Sequence, residues 1–148
     1  MTATDTITAD IDIAASPERV WRVLTDLERY AEWNPFITAA SGTVVVGARF
    51  TATFRPAGSR GTRLRPRILQ ADTARTLRWK GSVVVPGLFD GEHVFTLTPI
   101  SGGTNLRQQE TFTGVLVPVF RSSYPDTLKA FGAMNEKLRV RAETAAPV

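Results

Sequence analysis

The one histidine of this chain, His93, stands in the segment GEHVFTL, inside a run that alternates like a β-strand. With a single imidazole and no cysteine, the sequence lacks the usual ligands of a zinc or iron centre, and no metal is expected. The chemistry left to an isolated imidazole is proton transfer or ligand orientation, and a carboxylate beside it would orient the ring or stabilise its charged form. Centring the hairpin HVFTLTPISGGTNLRQQE on its ISGG turn sets Leu97 opposite Leu106, Phe95 opposite Gln108 and His93 opposite Glu110, all on one face. The other face receives Thr96 with Arg107 and Val94 with Gln109, which is more polar, so the first face is assigned to the interior. His93 and Glu110 are therefore the candidate catalytic residues. The same pair can equally be a satisfied buried contact that fixes strand register, and this structural role carries more weight because no third orienting group is evident. The carboxylate favours an imidazolium while burial opposes it, so the sign of a pKa shift stays open.

The elements that would hold this pair follow from periodicity. Ile7, Ala9, Ile11 and Ile13 alternate with Thr8, Asp10 and Asp12, which predicts a first strand with one buried face. Helical spacing begins at SPERVWRVL, with Ser16 as cap, Pro17 at the first helical position and Val20, Val23, Leu24 and Leu27 on one side. Thr25 and Glu28 read as a capping box for a second short helix, which Asn34 and Pro35 end. From 38 to 114 the pattern predicts strands at about 43–45, 48–55, 63–71, 76–85, 90–98 and 104–114, separated by Gly/Pro punctuation. An apolar stripe of Phe120, Tyr124, Leu128, Phe131, Met134 and Leu138 then predicts a long closing helix within 118–143, with Pro125 producing a kink or marking a late start.

Composition narrows the rest. A chain of 148 residues with 43% hydrophobic and 22% charged content is the size of one domain, taken here as 1–148, large enough to close around a core or a pocket. The N-terminal segment has no basic stretch followed by an apolar core, and no apolar run approaches the roughly 20 residues of a spanning helix. A cytoplasmic protein without a membrane span is expected. The net charge of +4 permits acidic partners, and Arg63, Arg65, Arg67, Arg78 and Lys80 recur at period two. No aromatic is interleaved with them to stack bases, so they read as a solvated sheet face and no nucleic acid is expected. Phosphate loops, dinucleotide turns and Ser/His/Asp sets are absent as motifs.

The segments SPERVWRVLTDLERYAEWNPFI, GEHVFTLTPISGGTNLRQQETFTG and FGAMNEKLRVRAE resemble the START-like (SRPBCC) superfamily, in particular its polyketide cyclase/dehydrase and lipid-transport branch, and the element order is similar along nearly the whole chain. The resemblance implies an α+β helix-grip fold: a curved antiparallel sheet of about seven strands, two short helices after the first, and a long C-terminal helix across the concave face. It also implies a cavity between sheet and helix, which composition cannot distinguish from a packed core.

On that basis Phe54, Trp79, Phe95, Gln108, Phe112, Tyr124, Leu128 and Phe131 are candidate ligand-binding residues, with Trp33 and Phe36 placed at the cavity rim. Trp33 has the competing role of pinning the helix end to the sheet. The leading function is binding of a small hydrophobic ligand by a carrier or sensor, with no cofactor and with a homodimer left open. Two alternatives stand beside it: a cyclase or dehydratase that uses the His93/Glu110 pair, and a chaperone-associated interaction module. Sequence leaves open whether any reaction is catalysed.

Overall fold

The computed structural model describes residues 3–56, 60–83 and 85–144. Strand β1 (Ala3–Ile13) turns Ile7 and Ile13 into the core and its threonines outward. In helix α1 (Pro17–Thr25) the Ser16 side chain accepts a hydrogen bond from the Arg19 amide at 3.2 Å, and Val20 and Leu24 are buried. The expected Thr25/Glu28 capping box does not form. Thr25 Oγ1 donates to the Trp21 carbonyl, the Glu28 carboxylate accepts from the Gly42 amide, and Leu27–Glu32 winds as a 3-10 helix. Asn34 Oδ1 then accepts the amides of Phe36 and Ile37 at 2.9 and 2.8 Å, which turns the chain into the sheet.

Seven more strands follow: β2 (Ile37–Ser41), β3 (Thr51–Phe54), β4 (Thr62–Leu64), β5 (Arg67–Asp72), β6 (Thr76–Val83), β7 (Phe89–Ile100) and β8 (Gly103–Gly114). Five strands form one antiparallel sheet in the order β1-β8-β7-β6-β5, and three form a second in the order β2-β3-β4. Among the described residues, eight strands in two sheets replace the expected seven or so in one. The predicted strand at 43–45 is irregular chain leading into a turn at 46–47, and extended structure lies earlier, at Ile37–Ser41. The predicted strand at 63–71 divides at Pro66, which has no amide to give a ladder. Segment 47–50 spans the division: the Gly47 amide reaches the Ile68 carbonyl at 2.8 Å and the Phe50 amide reaches the Pro66 carbonyl at 3.0 Å. Of the strand expected over 76–85, residue 84 lies outside the described residues.

After β8 the chain forms a short helix α2 (Val117–Phe120), a 3-10 turn and then α3 (Tyr124–Thr144), the longest helix. Pro125 is the second residue of α3, where its missing amide is harmless, so the late start is realised and not the kink. The inner face of α3 is Thr127, Ala130, Phe131, Met134, Asn135, Leu138 and Ala142. Each large apolar side chain buried there contributes ~1.5–3 kcal/mol. Leu128 does not belong to it and is 37% exposed. Steps of four from Phe120 through Tyr124 drift about 40° each around a helix of 3.6 residues per turn, which carries Leu128 off the buried side. The result is a curved antiparallel sheet gripping a long C-terminal helix.

Candidate functional site

The inward face of the main sheet is built in rows across β6, β7 and β8. Leu77, Phe95 and Gln108 form one row, and Trp79, His93 and Glu110 form the next. In the third row Gly81 pairs with Gly91, and Gly91 with Phe112. Two neighbouring strands thus contribute no side chain at this level, and the packing that fills the first two rows stops. The space above the glycine pair belongs to a cavity of about 250 Å³. Its walls are largely aromatic and aliphatic, with Phe36, Phe54, Trp79, Phe89, Phe112 and Phe120 supplying rings. Thr62, Ser123 and Thr127 add hydroxyls, and among the described residues Glu110 is the one charged group in the lining.

Glu110 is held over the glycine pair. A Cβ placed on Gly91 would come within 2.5 Å of Glu110 Oε2, so the carboxylate occupies the volume that any larger residue at 91 would need. Behind the carboxylate lies His93, fully buried, with Nδ1 at 3.7 Å from Glu110 Oε2. That separation is too long for a direct hydrogen bond, and His93 Nδ1 has no hydrogen-bond partner among the described residues. The ring is stacked on Trp79 and Phe95, with centroids at 5.1 and 4.7 Å, and tilted against Phe131 at 5.1 Å. Aromatic packing therefore fixes its plane.

The other ring nitrogen determines the tautomer. Asn135 Nδ2 donates to the Ala9 carbonyl at 3.4 Å, and a carbonyl can only accept. Asn135 Oδ1 is thereby left to accept from Gln108 Nε2 at 2.8 Å, and Gln108 Oε1 to accept from His93 Nε2 at 2.8 Å. This chain of donations, assigned from the network, puts the proton of a neutral imidazole on Nε2 and a lone pair on Nδ1. Two acceptors, Nδ1 and the carboxylate, consequently face each other. They are reconciled by a proton on one of them or by a donor group between them.

The sequence-derived candidates separate into three groups. Phe36, Phe54, Trp79, Glu110 and Phe112 line the cavity. His93, Phe95, Gln108 and Phe131 lie in the layer behind it and orient one another. Trp33, Tyr124 and Leu128 are outside the lining. Trp33 packs edge-on against Tyr30 at 5.2 Å, and Leu128 points toward solvent. Sequence reasoning missed Gly81 and Gly91, although two glycines within adjacent predicted strands signal a gap or a close approach. It also missed Asn135, a polar residue placed among the buried positions of an otherwise apolar helix face.

Tyr124 acts at the rim. Its ring stacks on Phe112 at 4.9 Å, and its hydroxyl donates to Asp5 Oδ2 at 3.1 Å. Arg121 Nε donates to the same oxygen at 2.7 Å and fastens the 3-10 turn to β1. The Arg121 hydrogen bond holds the Asp5 carboxyl below its usual range. Burial, and then the bond to Asp5, push the Tyr124 phenol up to about 12. This clamp positions the segment that carries Phe120 and Ser123 into the wall. Among the described residues no three His, Cys, Asp or Glu side chains converge to hold a metal, and no helix is long and apolar enough to cross a membrane.

The profile of the polyketide cyclase/dehydrase and lipid-transport family matches residues 4–143. No curated protein matches the chain. Among solved structures, a Mesorhizobium loti protein of 25% identity superposes with a TM-score of 0.77 over 97% of this chain and 100% of its own. Norcoclaurine synthase from Thalictrum flavum, crystallised with dopamine and hydroxybenzaldehyde, gives 0.76 at 14% identity over 99% of this chain and 91% of its own. The di-domain ARO/CYC BexL of the BE-7585A biosynthetic pathway gives 0.72 at 12% identity, covering 97% of this chain and 51% of its own. The last two share the fold.

Proposed function

This chain belongs to the polyketide cyclase/dehydrase and lipid-transport family, and from that premise we propose that it binds one small, largely apolar molecule between the sheet and α3. The observation that supports this most is the cavity above Gly81 and Gly91, walled by aromatic rings and holding, among the described residues, a single carboxylate. Ligand sites are typically apolar clefts of ~300–1,000 Å³ with a few placed polar groups, and the volume here suits a ligand of one or two rings or a short chain. Rings of the wall would hold the apolar body, while Glu110 and the hydroxyls would orient one polar group. The test is titration with an environment-sensitive apolar dye, compared with Gly81→Leu, whose side chain would fill the space. Wild type is expected to bind at one site and the variant at least about tenfold more weakly, with unchanged circular dichroism. Equal binding by both proteins would overturn the reading.

A second reading, that the cavity also performs acid/base chemistry, is favoured by the facing acceptors. A carboxylate in an apolar site, backed by an imidazole whose Nδ1 lone pair is oriented toward it, can take a proton from a bound ligand and share it with His93. Glu110 would be the group in contact with the ligand, and His93 the positioning partner. Glu110→Gln is expected to retain ligand binding and lose turnover on any substrate identified; retention of turnover would remove Glu110 from the acid/base role.

A further inference from the structure

The outer side of the same cavity wall carries a feature that ligand binding does not use. Pro66 lines the cavity, and its two neighbours Arg65 and Arg67 are exposed on the outside; Lys80 precedes Gly81 in the same way. With Arg49 they line one surface depression, to which the largely buried Asp90 contributes the one carboxylate among the described residues. No ion pair joins any of these four cations to a described carboxylate. Arg49 and Arg67 instead direct a guanidinium N–H to backbone carbonyls, of Arg65 at 2.8 Å and Gly47 at 2.7 Å, which holds both charges in place. The nearby acids are otherwise engaged. Asp90 accepts from the Gly87 amide at 3.1 Å, and Glu92, across the ladder from Lys80, bridges to Arg78 at 3.5 Å. Beside the depression, the turn that receives Arg67 exposes Val45 and Val46 at 54% and 59%.

We propose that this face docks on an anionic lipid surface. Cations without a carboxylate partner attract phosphate and carboxylate headgroups, and adjacent exposed valines add apolar area that enters the headgroup boundary. The charge alone would suit nucleic acid, but neither the depression nor the valine turn presents an aromatic ring for bases to stack on. Docking would set the cavity wall against the membrane from which an apolar molecule is drawn.

The experiment is co-sedimentation with phosphatidylcholine vesicles that contain or lack phosphatidylserine, at low and high salt. Wild type is expected to bind only the phosphatidylserine vesicles and to be released by salt. Arg65→Ser/Lys80→Ser removes two cations that hold no other residue through their side chains. Each cation lost is expected to lower partitioning roughly 5-fold. Val46→Ser is expected to weaken binding without changing its salt dependence. Failure of wild type to bind phosphatidylserine vesicles, equal binding to both vesicle types, or unchanged binding by either variant would overturn the proposal. Dye binding in the cavity is expected to be intact in Arg65→Ser/Lys80→Ser, so a negative vesicle result leaves the cavity reading standing and loss of the cavity leaves the docking face testable.

Discussion

His93 Nδ1 lies 3.7 Å from Glu110 Oε2 with the two residues directly paired across β7 and β8, and no hydrogen bond links them. The imidazole is committed through Nε2 to Gln108, so its remaining nitrogen and the carboxylate meet as two acceptors at the edge of an apolar cavity. That juxtaposition and the network behind it lead to the following expectations.

Asn135 is the anchor of the donation chain. Asn135→Leu removes the acceptor for Gln108 Nε2 and frees Gln108 to rotate, so His93 loses its fixed tautomer. A buried donor left without a partner costs about 1–3 kcal/mol. Urea denaturation is expected to show a loss of this size, and nitrogen chemical shifts of His93 are expected to change from one Nε2-protonated form to a mixture. An unchanged tautomer would show that aromatic packing suffices to fix the ring.

Gly91→Ala tests the seat of the carboxylate. The new Cβ would stand 2.5 Å from Glu110 Oε2, whereas a Cβ on Gly81 meets Pro66 at an ordinary 3.7 Å. Alanine at 91 is expected to displace Glu110 and weaken dye binding more than alanine at 81 does. Crystal structures and dye titrations of the two variants check the order.

The tyrosines report on pH. The chain has two, and both phenols are raised, Tyr30 by burial and Tyr124 to about 12 by burial and its bond to Asp5. A raised folded-state value stabilises the fold below the unfolded value of about 10, and that contribution is lost as pH rises toward 12. Ultraviolet titration is expected to show little phenolate at pH 10 in the native protein and normal ionisation after unfolding. At the acid end the sign reverses. Asp5 is lowered by Arg121, so its contribution is complete above the usual carboxyl range and disappears as pH falls through the folded value. Asp5→Asn is expected to flatten the acid limb of the stability profile.

The two sides of α3 separate cleanly. Met134 is fully buried, and Met134→Ala is expected to cost ~2–5 kcal/mol. Leu128→Ala removes a partly exposed side chain and is expected to cost under about 1 kcal/mol. Thermal denaturation of both variants measures the difference.

Sequence by itself determined the features that depend on local pattern. Alternation gave β1, the β7–β8 hairpin and its register, because shifting a half-buried strand by one residue would expose its whole apolar face. Ser16 and Pro17 marked α1, and Pro125 marked the start of α3, because cap and proline geometry are properties of a few adjacent residues. Tertiary structure decided what depends on distant chain segments. Where the sheet splits at Pro66, segment 47–50 pairs with the Pro66 carbonyl and with the amide and carbonyl of Ile68. The cavity required Gly81 and Gly91, which lie on two neighbouring strands, to fall side by side across the ladder. Asn135 reached Gln108 only after α3 docked across β1 and β8. Periodicity names the inward face of each element, but a void is a property of several faces meeting, and the direction of a proton chain is set by the last acceptor in it.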